Sequence, residues 1–112
     1  MDMDQPALTR KPERDARDRL PNRRPAISTS FIRDGATFEM TAGYYPDGRA
    51  GEIFLNADRA NSLLDFLMSD AAILASFALQ FGASLDDLRH AVKRDAVGNP
   101  QSPIGAALDA IP

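Results

Sequence analysis

Two pairs of carboxylates, Asp65/Asp70 and Asp86/Asp87, and the one histidine, His90, are the side chains whose type and spacing first suggest metal binding or proton transfer. A divalent cation needs several oxygen or nitrogen donors converging on one point. General-base catalysis needs a titratable group facing a nucleophile or a substrate proton. Neither arrangement is visible in the spacing. Asp86 and Asp87 fall in the first turn of an expected helix, where dipole and capping account for acidic residues. No second cluster accompanies either pair. His90 follows Asp86 by four residues, which is the spacing of an ordinary surface pair on a helix. The chain contains no cysteine, which removes disulfides, thiolate metal sites and thiol reactions. The residues thus predict no catalytic site, no metal and no cofactor.

Polar residues at helical spacing form a second set. Asp58, Ser62, Asp65, Ser69, Ser76 and Gln80 fall in one narrow stripe of a long apolar segment. Such a stripe either faces a ligand or partner, or it is a solvent edge whose hydroxyls satisfy nearby backbone groups. Tyr44-Tyr45-Pro46-Asp47-Gly48-Arg49 and Gly51-Glu52 form a third set. They lack the glycine-rich loop, helix start and lysine of a phosphate site. They read as a hairpin turn followed by a bulge or a close backbone approach at Gly51. Asp65, Ser69, Ser76, Gln80, Arg49 and Glu52 are therefore the candidate interaction surface. Arg49 and Arg59, together with the basic N-terminal residues, are the groups available for a nucleotide or a nucleic acid.

The elements that must position these residues follow from periodicity and turn chemistry. Residues 1–18 mix charge and proline with few large aliphatics and predict a disordered arm. Residues 19–112 predict one domain. Ala26–Ile32, Ala36–Tyr45 and Gly51–Leu55 alternate as strands, and short turns at Arg33-Asp34-Gly35 and at Pro46–Arg49 make them an antiparallel meander. A long helix capped by Asp58, Asn61 or Ser62 runs to about Phe81, with Gly82 just past its end. Ser84-Leu85-Asp86-Asp87 opens a second helix through about Arg94, which Lys93 and Arg94 favour through the dipole. Ser102-Pro103 opens a third, to about Ile111. The fold class is α+β, in the order βββααα with the helices on one face of the sheet.

The long helix is apolar around most of its circumference, from Leu63 through Phe81. It is therefore either the centre of the domain or partly an interface. Asp65 and Asp70 within its length argue against a membrane span. Net charge is −3, and it is unevenly spread: residues 1–25 hold seven Lys/Arg against five Asp/Glu, the rest six against eleven. An acidic globule suits a phosphate backbone poorly. The start, Met1-Asp2-Met3-Asp4, has no basic and apolar leader pattern, so the expected location is cytoplasmic.

Arg19-Leu20-Pro21, Ala26-Ile27-Ser28, Gly43 through Arg49, Gly51-Glu52-Ile53-Phe54-Leu55 and Ser76-Phe77-Ala78-Leu79-Gln80-Phe81-Gly82 recur in one order and spacing in a known family. With them the chain resembles the TSCPD domain, the C-terminal accessory region of adenosylcobalamin-dependent (class II) ribonucleotide reductases, here as a small stand-alone protein. The resemblance implies a place in deoxyribonucleotide synthesis. Reductases of that family use a radical cysteine, a redox cysteine pair and a cobalamin in a large barrel domain. This chain has neither the cysteines nor the length for a barrel, and it departs from the cysteine motif that names the domain. It is expected not to reduce ribonucleotides alone. Its expected partners are a second copy of itself, as a homodimer, or a ribonucleotide-reductase-like protein, through protein–protein contacts. No nucleic-acid or membrane partner is expected.

Overall fold

The computed structural model describes residues 16–59 and 61–112. Most of the expected arm, residues 1–15, lies outside them. Three strands, β1 (Ala26–Arg33), β2 (Ala36–Tyr44) and β3 (Ala50–Ala57), are followed by α1 (Leu63–Gln80), α2 (Leu85–Ala91) and α3 (Pro103–Ala110). The architecture is α+β, as the sequence predicts.

The sheet is an antiparallel meander with β2 at its centre. Its first connection is the two-residue turn Asp34-Gly35, in which both residues take positive φ, 53° and 79°. That geometry matches the right-handed twist of the flanking strands, and Asp-Gly accommodates it. The register pairs Phe31 with Phe38, Thr29 with Met40 and Ile27 with Ala42. Met40 in turn faces Leu55, and Ala42 faces Ile53. One face is thereby apolar. Phe38, Met40, Ala42, Ile53, Leu55 and Ala57 bury it against Ala72 and Leu79 of α1 and Ala107, Leu108 and Ile111 from α3 and its end. Each of the large ones contributes about 1.5–3 kcal/mol by leaving water. The other face is mainly polar, with Ile32 and Phe54 as its exposed apolar residues and Ser28 and Thr41 sharing a hydrogen bond of 2.8 Å.

Helix ends follow local chemistry. Ser62 caps α1 by accepting from the Asp65 N–H. After the C-cap Phe81, Gly82 N–H donates to Leu79 O at 3.1 Å and Ala83 N–H to Ala78 O at 3.0 Å, the paired bonds of a Schellman ending. Ser84 and Asp87 form a reciprocal capping box at α2. Ser102 caps α3 with Pro103 in its first turn.

Two boundaries differ from expectation by more than one residue. β3 continues to Ala57 instead of stopping at Leu55, because Phe38 and Glu39 provide ladder partners for Ala57 and Asn56. α2 ends at Ala91, three residues before Arg94, and Val92 is already extended. Tertiary bonds claim Arg94 instead. Its guanidinium donates to Arg89 O at 3.0 Å, to Gly98 O at 3.1 Å and to both carboxylate oxygens of Asp109 at 2.9 and 2.7 Å.

Candidate interaction surface

The polar stripe of α1 does not face solvent. β3 is an edge strand, and an edge strand leaves the outward N–H and C=O groups of alternate residues without ladder partners. α1 runs antiparallel to β3 along that edge and supplies those partners from its side chains. Asp65 Oδ1 accepts from Ala57 N–H at 2.9 Å. The Ser69 hydroxyl donates to Leu55 O at 3.1 Å and accepts from Asn56 Nδ2 at 3.2 Å. Ser76 Oγ accepts from Ile53 N–H at 2.8 Å, and its proton lies between the carbonyls of Ala72 and Ile53, at 2.8 and 3.1 Å. Gln80 Nε2 donates to Gly51 O at 2.9 Å. The lengths match: Asp65 to Gln80 rises roughly 22 Å along a helix, and Gly51 to Ala57 covers roughly 20 Å of strand. Four of the six candidate surface residues are thus hydrogen-bonded to the chain's own sheet edge.

The other two, Arg49 and Glu52, belong to a knot that fastens the segment before β1. Arg24 forms an ion pair with Glu52, whose carboxylate lies across Gly43 on the neighbouring strand. A Cβ at Gly43 would collide with that carboxylate. The Tyr45 ring packs on Gly51, where a Cβ would likewise collide, and its hydroxyl donates to Asp18 O. Burial, with Asp18 nearby, raises the Tyr45 phenol above its ordinary value. Arg49 stacks 4.5 Å over the same ring and pairs with Asp47 at 2.8 Å, and backbone and side-chain bonds from Arg49 lower the Asp47 pKa. Gln80 is only 6% exposed; it accepts from Arg17 Nε at 2.6 Å, and Gln80 O accepts from Asp18 N–H at 2.8 Å. Among the described residues, contacts with the body of the domain are already present at Arg17 and Asp18. The sequence pattern marks the turn and the close approach at Gly51. It carries no signal for Arg24 and Arg17 as partners, because those contacts span 28 and 63 residues.

Arg49 and Arg59 sit beyond opposite ends of β3, separated by an eight-residue strand that is roughly 25 Å long. They do not converge on one ligand. Asp86 and Asp87 stay at the start of α2, where the Ser84 N–H holds the Asp87 carboxyl below its usual range. His90 Nδ1 lies 2.8 Å from Asp86 O. Among the described residues no three His, Asp or Glu side chains gather as a metal site.

What α1 leaves open is apolar. Leu63, Phe66, Leu67, Ile73, Leu74, Phe77 and Phe81 are 38–72% exposed, and Phe54 on the outer face of β3 joins them. A groove of about 170 Å³ runs between Phe54, Ile73 and Phe77, with Arg17 at its rim. The Arg17 guanidinium lies 4.2 Å over the Phe77 ring. Asp70 is the one acidic residue on this face of the helix, at the centre of the stripe. α1 has the length and composition of a membrane-crossing helix, yet its opposite side is bonded to β3 along its length.

Comparison with known proteins finds relatives that share one name. The chain is 44% identical over 73 residues to vitamin B12-dependent ribonucleotide reductase of Streptantibioticus cattleyicolor, covering 65% of this chain and 12% of that protein. The Streptomyces coelicolor enzyme of the same name matches equally over 73 residues, 65% of this chain and 8% of the enzyme. That of Bradyrhizobium diazoefficiens is 32% identical over 71 residues, 63% of this chain and 6% of the enzyme. The chain thus spans about a tenth of the length of the first of these relatives and is homologous to a short segment of such reductases. No protein-family profile matches it, and no solved structure matches it.

Proposed function

We propose that this chain is a non-catalytic binding module of deoxyribonucleotide metabolism, a TSCPD-type domain that acts through protein–protein contacts on the open face of α1. One observation carries the reading: the polar side of α1 is consumed within the chain, and the side left over among the described residues is an apolar stripe broken only by Asp70. Soluble monomers rarely leave such a stripe uncovered. The reading is supported by the segment the chain shares with B12-dependent reductases, and by the complete lack of cysteine, which thiol-based reduction of a ribonucleotide requires. The test is binding of the full chain to a B12-dependent reductase polypeptide, by interferometry at low and high salt. Apolar contact predicts binding that tolerates salt. Failure to bind either the reductase or itself ends the reading.

A second reading, binding of a nucleotide or another phosphate compound, draws on a polar groove of about 210 Å³ lined by Arg17, Arg19, Arg24 and Gln80. Glu52 and Gln80 already engage two of those arginines, which makes it the weaker of the two. Its signature is affinity for a nucleoside diphosphate that falls steeply with salt.

A further inference from the structure

The open face of α1 is periodic. Leu63, Leu67, Asp70, Leu74, Phe77 and Phe81 follow one another at alternating steps of four and three residues, the spacing of a coiled-coil seam. We infer that this seam packs antiparallel against the same seam of a second copy of the chain, with Asp70 of each copy opposite Leu74 of the other. The inference rests on the α1 face being a protein-contact surface, and it names the occupant.

Three observations single out a second copy. First, the seam is self-complementary. Its steps read the same in both directions, so a two-fold axis at its middle sets Leu63 against Phe81, Leu67 against Phe77 and Asp70 against Leu74. The two outer layers then each combine one leucine with one phenylalanine, so their volumes balance. Such a patch is isologous, as closed dimers require.

Second, the area is right. The open side chains of α1 with Phe54, at 38–72% exposure, present on the order of 800 Å², taking about 150–250 Å² for each large side chain. That is more than the largest patch of an ordinary monomer, and it equals one partner's share of a standard stable interface. The face is also almost wholly apolar, which is the composition of homodimer contacts more than of transient ones.

Third, the charge fits this direction and not its opposite. A parallel pair in register would set Asp70 against Asp70, two like charges facing each other within a seam. The antiparallel pair separates them by about one helical turn. It also brings each carboxylate toward Phe77 of the other copy, over which Arg17 is stacked.

The test is light scattering after size-exclusion chromatography of the full chain over a concentration series, at low and high salt. It is run alone, with a B12-dependent reductase polypeptide, and with phosphatidylcholine–phosphatidylserine vesicles. The expected result is a dimer whose dissociation constant hardly moves with salt. Leu74→Lys, at a side chain 70% exposed, leaves the far-UV spectrum unchanged and weakens the dimer by at least about tenfold. The chain has no cysteine, so a Leu63→Cys/Phe81→Cys double variant reports direction: oxidation yields a covalent dimer, and neither single variant does. The inference is overturned by a wild-type monomer, by a dimer indifferent to Leu74→Lys, or by single variants that cross-link as well as the double. A monomer that elutes with the reductase sinks the dimer and leaves the proposed function standing. A monomer that binds only vesicles assigns the face to a lipid surface, and one that binds nothing sinks both.

Discussion

The two sides of α1 are arranged opposite to the usual amphipathic helix. Asp65, Ser69, Ser76 and Gln80 point inward to β3, while Leu63, Leu67, Leu74 and Phe77 point outward. An ordinary surface helix buries its apolar stripe and solvates its polar one. The inversion has a physical reason. α1 lies beside a strand edge as well as over the apolar face, and an edge presents unpaired backbone dipoles. Small hydroxyls and a carboxamide meet those dipoles; leucines would not. Hydropathy alone therefore does not tell which side of a helix is inside, and the chemistry of the neighbouring surface decides.

The comparison is broken most severely at Gln80. Gln80→Leu leaves Gly51 O and the Arg17 guanidinium without their bonds at a nearly closed position. A loss of about 2–3 kcal/mol is expected, from the cost of unsatisfied buried groups, read from urea denaturation. Ser76→Ala strips partners from Ile53 N–H and Ile53 O and should cost about 1–2 kcal/mol by the same measurement. On the outer side, Leu74→Lys should change the stability of the dilute chain by no more than about 0.5 kcal/mol, as exposed positions do. Its effect should appear in association. Equal stability losses from Ser76→Ala and Leu74→Lys would erase the distinction between the two sides.

Acid sharpens the comparison least, because the affected carboxylates lie away from α1. The Arg94 guanidinium holds Asp109 below its ordinary value, as the Ser84 N–H does for Asp87, and turn N–H groups, Asn99 first, do so for Asp95. A carboxylate depressed in the folded state contributes stability that is full above its unfolded pKa, about 3.9. That contribution is lost as pH falls through the folded value. Melting temperature should therefore be level from neutral pH to about pH 5 and decline below about pH 4. A decline that begins near neutrality would point to other groups.

Much of this arrangement is legible in the sequence. Asp34-Gly35 and Pro46 through Gly48 set the meander. Ser62 and Gly82 bracket α1, and the polar stripe at Asp65, Ser69, Ser76 and Gln80 is visible as a stripe, because all of these are local patterns. What the stripe meets is not legible. That depends on β3 being an edge, a property of strand order across the whole sheet. Arg94 shows the same limit: its position at the end of a helical pattern favours continuation, and contacts with Asp109 and Gly98 override it. Arg24 and Glu52 lie 28 residues apart, and no spacing rule joins them.

The fastening of α1 to β3 reads backbone atoms on one side and side chains on the other. A carbonyl is the same whatever residue carries it, so the strand can change sequence under the helix without disturbing these bonds, whereas Asp65, Ser69, Ser76 and Gln80 cannot be exchanged freely. Across descendants of this chain, drift should therefore be lopsided. The outward β3 residue Phe54 answers only to whatever docks there, while the four helix positions, and Asn56 through its bond to Ser69, answer to the fold itself. Where all six are held fixed together, inheritance would be recording the partner as well as the architecture.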